Sequence, residues 1–264
     1  MKYIICVVLA GCIGCTHYPY SSSNKSYKRQ AKQYAKTIET YPLHDTISNT
    51  TFTGTTNFNL RKPNFVIIHH TAQSSCAQTL KTFTTAATQV SAHYVICKDG
   101  TVHHMLNDYL RGWHAGVARW GNDADINSSS IGIELDNNGF ETFPDSQINS
   151  LLRLLAALKK QYNIPSANFI GHGDIAPTRK NDPNWLFPWQ TLAQNGFGLW
   201  YDDTTNIVLP SSFAPVQALR IIGYDVKDTA AAILAFKRHW LQDTTQVLDS
   251  FQNKVLYNVM RKYE

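Results

Sequence analysis

The run Phe65-Val66-Ile67-Ile68 constrains the fold of this chain more than any other stretch. Consecutive large apolar residues leave neither strand face suited to water, so this strand belongs inside a sheet that is covered on both sides. It ends in His69 and His70, which brings two imidazoles to a sheet edge. Around it, His93-Tyr94-Val95-Ile96-Cys97 and Thr101-Val102-His103-His104-Met105-Leu106 flank Lys98-Asp99-Gly100. Asp-Gly between two alternating runs predicts a β-hairpin. Ile131-Gly132-Ile133-Glu134-Leu135 reads as another strand, followed by a turn at Asn137-Asn138-Gly139, and Asn168-Phe169-Ile170 as a short last one.

Helical signals alternate with these strands. Residues 78–89 read as a helix with Leu80 and Phe83 inward. The clearest helix opens at Pro144-Asp145-Ser146-Gln147, and Ile148, Leu151, Leu152, Leu155 and Leu158 recur at helical spacing up to Tyr162. The pattern predicts an α/β fold over residues 63–205, with a central mixed β-sheet flanked by helices. Residues 206–264 hold three helical patterns, at 213–222, 228–240 and 244–263, expected to form a compact module with its own small core. Residues 16–62 are rich in Ser, Thr, Asn, Lys and Tyr and read as a tether or extended lead-in.

Of the five cysteines, Cys6, Cys12 and Cys15 lie in the opening segment. Met1-Lys2 and the apolar run after it resemble the start of a secretory signal, too short to span a bilayer permanently. Leu9-Ala10-Gly11-Cys12 resembles a bacterial lipobox, and Cys15 is a second candidate for acylation. The expectation is a lipoprotein signal peptide over 1–15 and an exported, periplasmic chain tethered to the outer membrane. A buried N-terminal strand is the competing reading, disfavoured by the polar sequence that follows. In an oxidising compartment Cys76 and Cys97 can pair, though their spacing alone does not show that they meet. The formal charge of +5 and the lack of a Lys/Arg run give nucleic-acid binding little support. A weakly basic surface suits an anionic polymer such as cell-wall glycan, although a charge of this size is ordinary.

The chemistry concentrates in Gly171-His172-Gly173-Asp174-Ile175-Ala176-Pro177-Thr178-Arg179-Lys180-Asn181-Asp182-Pro183, a loop that no apolar core requires. His69 at one strand end and His172 just after another can converge, and Asp182 can fold back onto them. Two imidazoles and one carboxylate leave a coordination position open, the ligand set of a catalytic zinc. Glu134 sits in an otherwise apolar strand, where a charge is costly unless paired or functional. Near a zinc-activated water it would act as the proton relay. An outward-facing strand position is the ordinary alternative. Lys180 suits an oxyanion or, more blandly, solvent. Trp113 fits a sugar-stacking groove wall and the core equally well. His93 is expected to pack near the site, and His103 and His104 to play no catalytic part.

Five segments in order carry a resemblance: Phe65-Val66-Ile67-Ile68-His69-His70-Thr71-Ala72, Ser91-Ala92-His93-Tyr94, Gly112-Trp113-His114-Ala115-Gly116, Ser130-Ile131-Gly132-Ile133-Glu134 and residues 172–183. Together they resemble the zinc-dependent N-acetylmuramoyl-L-alanine amidases, the amidase-2 family that includes the peptidoglycan recognition proteins. They lie nearest its periplasmic lipoprotein branch. The similarity continues through Leu186-Phe187-Pro188-Trp189 and Gly223-Tyr224-Asp225-Val226-Lys227. It implies zinc on His69, His172 and Asp182, with Glu134 and Lys180 as the catalytic pair. The implied reaction is hydrolysis of the amide between N-acetylmuramic acid and L-alanine in peptidoglycan or muropeptides. Substrate contacts are expected at His70, Thr71, Trp113 and His114, and His70 stands where that branch commonly has tyrosine. Shorter relatives have a catalytic tyrosine where this chain has Ala92, which fits reliance on Glu134. The same pattern makes Asp174 a loop-shaping residue instead of a ligand, and the tail is similar to three-helix peptidoglycan-binding modules. The competing functions are a muropeptide-binding lipoprotein without catalysis and a zinc peptidase cutting within the stem peptide.

Overall fold

The computed structural model describes residues 19–39, 53 and 55–264. The leader at 1–15, with Cys12 and Cys15, lies outside the described residues. The chain divides into two compact units, and helix α1 (Ser21–Glu39) belongs to the first. A helix there departs from the expected lead-in. The segment contains no Pro or Gly and is dominated by Lys, Arg, Gln, Ala and Ser, several of which lose little rotamer freedom in a helix. None of its residues is buried.

The second unit, Phe58–Glu264, is built on strands β1 (Phe65–His70), β2 (Tyr94–Ile96), β3 (Val102–His104), β4 (Ser130–Leu135) and β5 (Phe169–Gly171). Their order is β3-β2-β4-β1-β5. The sheet is mixed, because β2, β4, β1 and β5 run parallel while β3 returns antiparallel. β1 pairs on both sides, and Val66, Ile67 and Ile68 are fully buried, as a doubly covered strand must be. The predicted hairpin forms with Tyr94 opposite His104, and Gly100 supplies its positive φ of 87°.

The helices of this unit are α2 (Cys76–Thr84), α3 (Ile126–Ser129), α4 (Asp145–Tyr162), α5 (His172–Ile175), α6 (Trp189–Gln194), α7 (Pro215–Ile222), α8 (Thr229–Leu241) and α9 (Ser250–Arg261). α2 starts and stops earlier than the pattern over 78–89 suggested. The Ser75 hydroxyl accepts the Gln78 N–H at 3.3 Å and caps its start. At its end the hydroxyls of Thr84, Thr85 and Thr88 bond back to main-chain carbonyls and compete with helix propagation. Cys76 and Cys97 do meet, as a disulfide with Cα atoms 5.4 Å apart that ties α2 to the end of β2.

Strand alternation divides the core in two. Val66, Ile68, Ile131, Ile133 and Phe169 meet Ile148, Leu151, Leu155 and Leu158 of α4 on one face. On the other, Ile67 and Ile170 join an apolar cluster with Leu219, Phe236, Trp240, Val255 and Leu256. The C-terminal helices therefore do not close on a core of their own. They complete the second face of the sheet. α9 also begins later than the pattern at 244–263 suggested. Asp249 and Gln252 form a capping box at its start, and the preceding segment wraps the buried ammonium of Lys237. Lys237 Nζ reaches Asp243 at 2.9 Å, the Val247 carbonyl at 2.7 Å and the Thr245 hydroxyl.

Candidate metal centre

The site forms where parallel strands end on the face shared with the C-terminal helices. His69 on β1 lies beside Glu134 on β4, and β5 ends at Gly171 opposite Ile68, so His172 follows at the same edge. The loop after α5 folds back: Gly173 N–H donates to the Asp182 carbonyl at 2.7 Å and Lys180 N–H to that of Ala176 at 3.0 Å. This returns the Asp182 carboxylate to both imidazoles. His69 Nδ1 lies 2.9 Å from His172 Nδ1, and Asp182 Oδ2 lies 3.0 Å from each. All three residues are buried.

Burial and the neighbouring His172 lower the His69 pKa to about 4 against the pull of Asp182, which favours the neutral ring a metal requires. Burial opposes ionisation of Asp182; in the metal-free chain, protons on the facing His172 and His69 rings outweigh it and hold the carboxyl well below its usual range, protons that a bound metal displaces. Three converging donor atoms of this kind fit one divalent cation. Cys76, Cys97 and His103 are also within ligand spacing, but the disulfide occupies both sulfurs.

The hydrogen bonds behind the ligands set their tautomers. Ser130 donates its hydroxyl to the Ile126 carbonyl and so accepts from His114 Nε2–H at 3.2 Å. His114 Nδ1 then accepts from His69 Nε2–H at 3.0 Å, which leaves the lone pair of His69 on Nδ1, toward the centre. His172 Nε2–H donates to the Ala115 carbonyl at 3.0 Å with the same result. Gly132 makes room for this relay, because a Cβ there would lie 2.4 Å from the His114 ring. The expected substrate contact at His114 is thus corrected: its ring is buried behind His69 and supports a ligand. The signal available in the sequence was Gly132 itself, a glycine inside an apolar strand that marks close approach.

Glu134 is only partly buried as a residue, yet its Oε2 atom is buried and has no hydrogen-bond partner among the described residues. Burial, followed by the charge of Asp182, raises its pKa to about 8, with Lys180 opposing. Lys180 is half-buried, and its charge is felt at Glu134 and His69. The structure thus brings His69, His172 and Asp182 together, with Glu134 paired beside His69 and Lys180 two residues before Asp182.

The remaining candidates lie elsewhere. His70, one residue past His69, falls on the α4 face, and its buried Nδ1 accepts the Asn184 N–H at 3.0 Å. That corrects the substrate contact expected there, since the ring clasps the loop after Asp182. Thr71 exchanges hydrogen bonds with the Asn137 backbone at 3.2 and 3.3 Å. Trp113 is 53% exposed and so belongs to the surface and not the core. His93 joins Gly132 N–H to the Leu110 carbonyl, while His104 stacks on Tyr94. Asp174 turns away from the ligands toward the C-terminal helices, where Tyr224 and His239 meet it.

The N-acetylmuramoyl-L-alanine amidase family (Amidase_2) matches residues 59–185, which include the three candidate ligands, Glu134 and Lys180. The N-acetylmuramoyl-L-alanine amidase AmiD of Escherichia coli K12 is 34% identical over 206 residues, covering 66% of this chain and 74% of AmiD. The structure of Escherichia coli AmiD with its substrate anhydro-N-acetylmuramic acid-L-Ala-D-gamma-Glu-L-Lys superposes with a TM-score of 0.70 at 28% identity. That match covers 80% of this chain and 93% of AmiD's. The structure of AMPDH3 from Pseudomonas aeruginosa with anhydromuramic pentapeptide gives 0.71 at 30% identity, over 83% and 99% of the two chains. Agreement of this length in both sequence and fold, over a buried His-His-Asp centre, makes the chain a member of the N-acetylmuramoyl-L-alanine amidase family.

Proposed function

We propose that this protein is a zinc amidase that hydrolyses the bond between N-acetylmuramic acid and L-alanine in muropeptides or peptidoglycan. One observation carries the reading: a buried three-donor cation site stands beside Glu134, whose buried Oε2 has no partner among the described residues. A carboxylate left in that state is costly unless it handles a proton. Muropeptides bound to AmiD and AMPDH3 support the substrate class.

Zinc held by His69, His172 and Asp182 would supply Lewis acidity for the scissile carbonyl and for water. Glu134 Oε2 accepts the proton of the attacking water and returns it to the leaving amide nitrogen. Burial raises its pKa in the metal-free chain, and the charge of a bound cation would favour the ionised form that accepts a proton. The Lys180 ammonium offsets negative charge developing on the carbonyl oxygen. Meanwhile His114 and the Ala115 carbonyl hold both imidazoles in the ligating tautomer. The exposed indole of Trp113 offers a flat face to a sugar ring.

Mass analysis of an anhydromuropeptide incubated with zinc-loaded protein tests the proposal. Free stem peptide and the free sugar are expected, and Glu134→Ala should release neither. A muropeptide bound but left intact by the wild type would indicate a binding protein, and fragments cut within the stem would indicate a peptidase. The leader supports export and lipid attachment at Cys12 or Cys15. Loss of detergent partitioning in Cys12→Ser or Cys15→Ser identifies the acylated residue.

A further inference from the structure

We propose that the C-terminal helices form a working part of the metal centre, with His239 and Tyr224 as positioning residues that act through Asp174. The inference rests on the zinc reading above. It draws on residues beyond the family match, which ends at residue 185.

Asp174 is buried, and both of its carboxyl oxygens are engaged. Its Oδ2 takes the Gly171 N–H at 2.7 Å and lies 2.7 Å from His239 Nδ1. Its Oδ1 takes the Tyr224 hydroxyl at 2.9 Å, and that oxygen receives Trp240 Nε1–H at 3.3 Å. Two of the three donors to Asp174 therefore come from the C-terminal segment. His239 is held flat against Trp189, with ring centroids 3.9 Å apart and planes 9° apart, and stacks on Trp240 at 4.8 Å. Tyr224 is held as firmly. Gly223 before it has φ of 131°, and a Cβ there would lie 2.6 Å from the Trp120 ring.

Asp174 in turn governs the ligand loop. It fixes Gly171, the residue before His172, and sits in the short helix that His172 opens. Gly173, between the two, donates to the Asp182 carbonyl at 2.7 Å. A shift of Asp174 therefore moves both downstream ligands relative to His69. α8 adds a second restraint: Arg238 Nη1 would lie 3.3 Å from a Cβ at Gly173, and its guanidinium interacts with the charges of Asp174 and Asp182. Without His239 and Tyr224 the loop would keep a buried carboxylate with most of its partners gone.

The test measures zinc affinity of full-length variants by competition with a chromogenic chelator. His239→Phe keeps a flat ring between the indoles but removes the donor, whereas His239→Asn places an amide N–H near the position of Nδ1. Zinc affinity is expected to fall about tenfold or more in His239→Phe and to stay within about threefold of wild type in His239→Asn. Equal affinity in His239→Phe and wild type would overturn the inference, and so would equal losses in both variants. Should His239→Phe not fold, Tyr224→Phe carries the same test, with a loss of about threefold expected and none overturning it. A wild-type chain that takes up no zinc would overturn the reading of the centre and this inference with it. Failure confined to the variants overturns the inference alone.

Discussion

The two faces of the sheet are buried by different means. The α4 face is apolar almost to its end, where His70 closes it by accepting the Asn184 N–H. The opposite face begins apolar with Ile67 and Ile170, packed on helices that arrive from the C-terminus, and turns ionisable at His69 and Glu134. One strand alternation thus separates packing from chemistry. On the α4 face, volume is what matters, and many apolar side chains would serve. On the other, polar atoms converge on a cation site, and the buried Glu134 Oε2 beside it lacks a partner among the described residues.

Three substitutions and one pH comparison would break or sharpen that contrast. The largest effect is expected from Glu134→Gln, which should lower kcat by about a thousandfold, about 4 kcal/mol, without loss of zinc. Steady-state assays on the zinc-loaded variant check this, and activity close to wild type would give the base to another residue. Next comes Leu155→Ala on the α4 face, expected to cost about 3 kcal/mol in urea unfolding while the folded enzyme keeps its specific activity. Activity lost in the folded fraction would show that the faces are coupled. His114→Ala should weaken zinc binding about tenfold to a hundredfold, because the lone pair of His69 is no longer fixed on Nδ1. Unchanged affinity in chelator competition would remove His114 from the relay.

The smallest effect concerns pH. The Glu134 pKa is raised in the folded chain to about 8, so the metal-free fold binds a proton that the unfolded chain has released. Its contribution to stability is therefore full below the ordinary carboxyl pKa and declines as pH rises toward 8, by at most about 1.4 kcal/mol per pH unit. Metal-free wild type should lose about 1 kcal/mol relative to Glu134→Gln between about pH 5.5 and about pH 6.5. Parallel stability curves for the two would contradict the burial of this carboxyl.

Much of this was legible in the sequence because it is local. The run at Phe65, the Asp-Gly hairpin and the leucine spacing of α4 each declare their element within a few residues. The convergence of His69, His172 and Asp182 was legible because two strand ends and a Pro-punctuated loop carry ionisable side chains that an apolar core does not need. Contacts made only by the tertiary fold stayed hidden. His114 sits in a loop without periodicity, and its role depends on Gly132, Ser130 and His69 converging. Asp174 and His239 are separated by 65 positions, and no local pattern links them. Helix α1 was missed because its polar composition reads as a tether although its helix propensity is adequate. The later start of α9 follows from the hold of Lys237 on the preceding segment.

Equilibrium dialysis of the full-length chain against buffered zinc tests the centre most directly. One ion per chain for wild type, and none retained by His69→Ala, His172→Ala or Asp182→Ala under the same buffering, is the expected result. Uptake of no ion by the wild type, or undiminished uptake by any of the three variants, would contradict a metal held jointly by these residues.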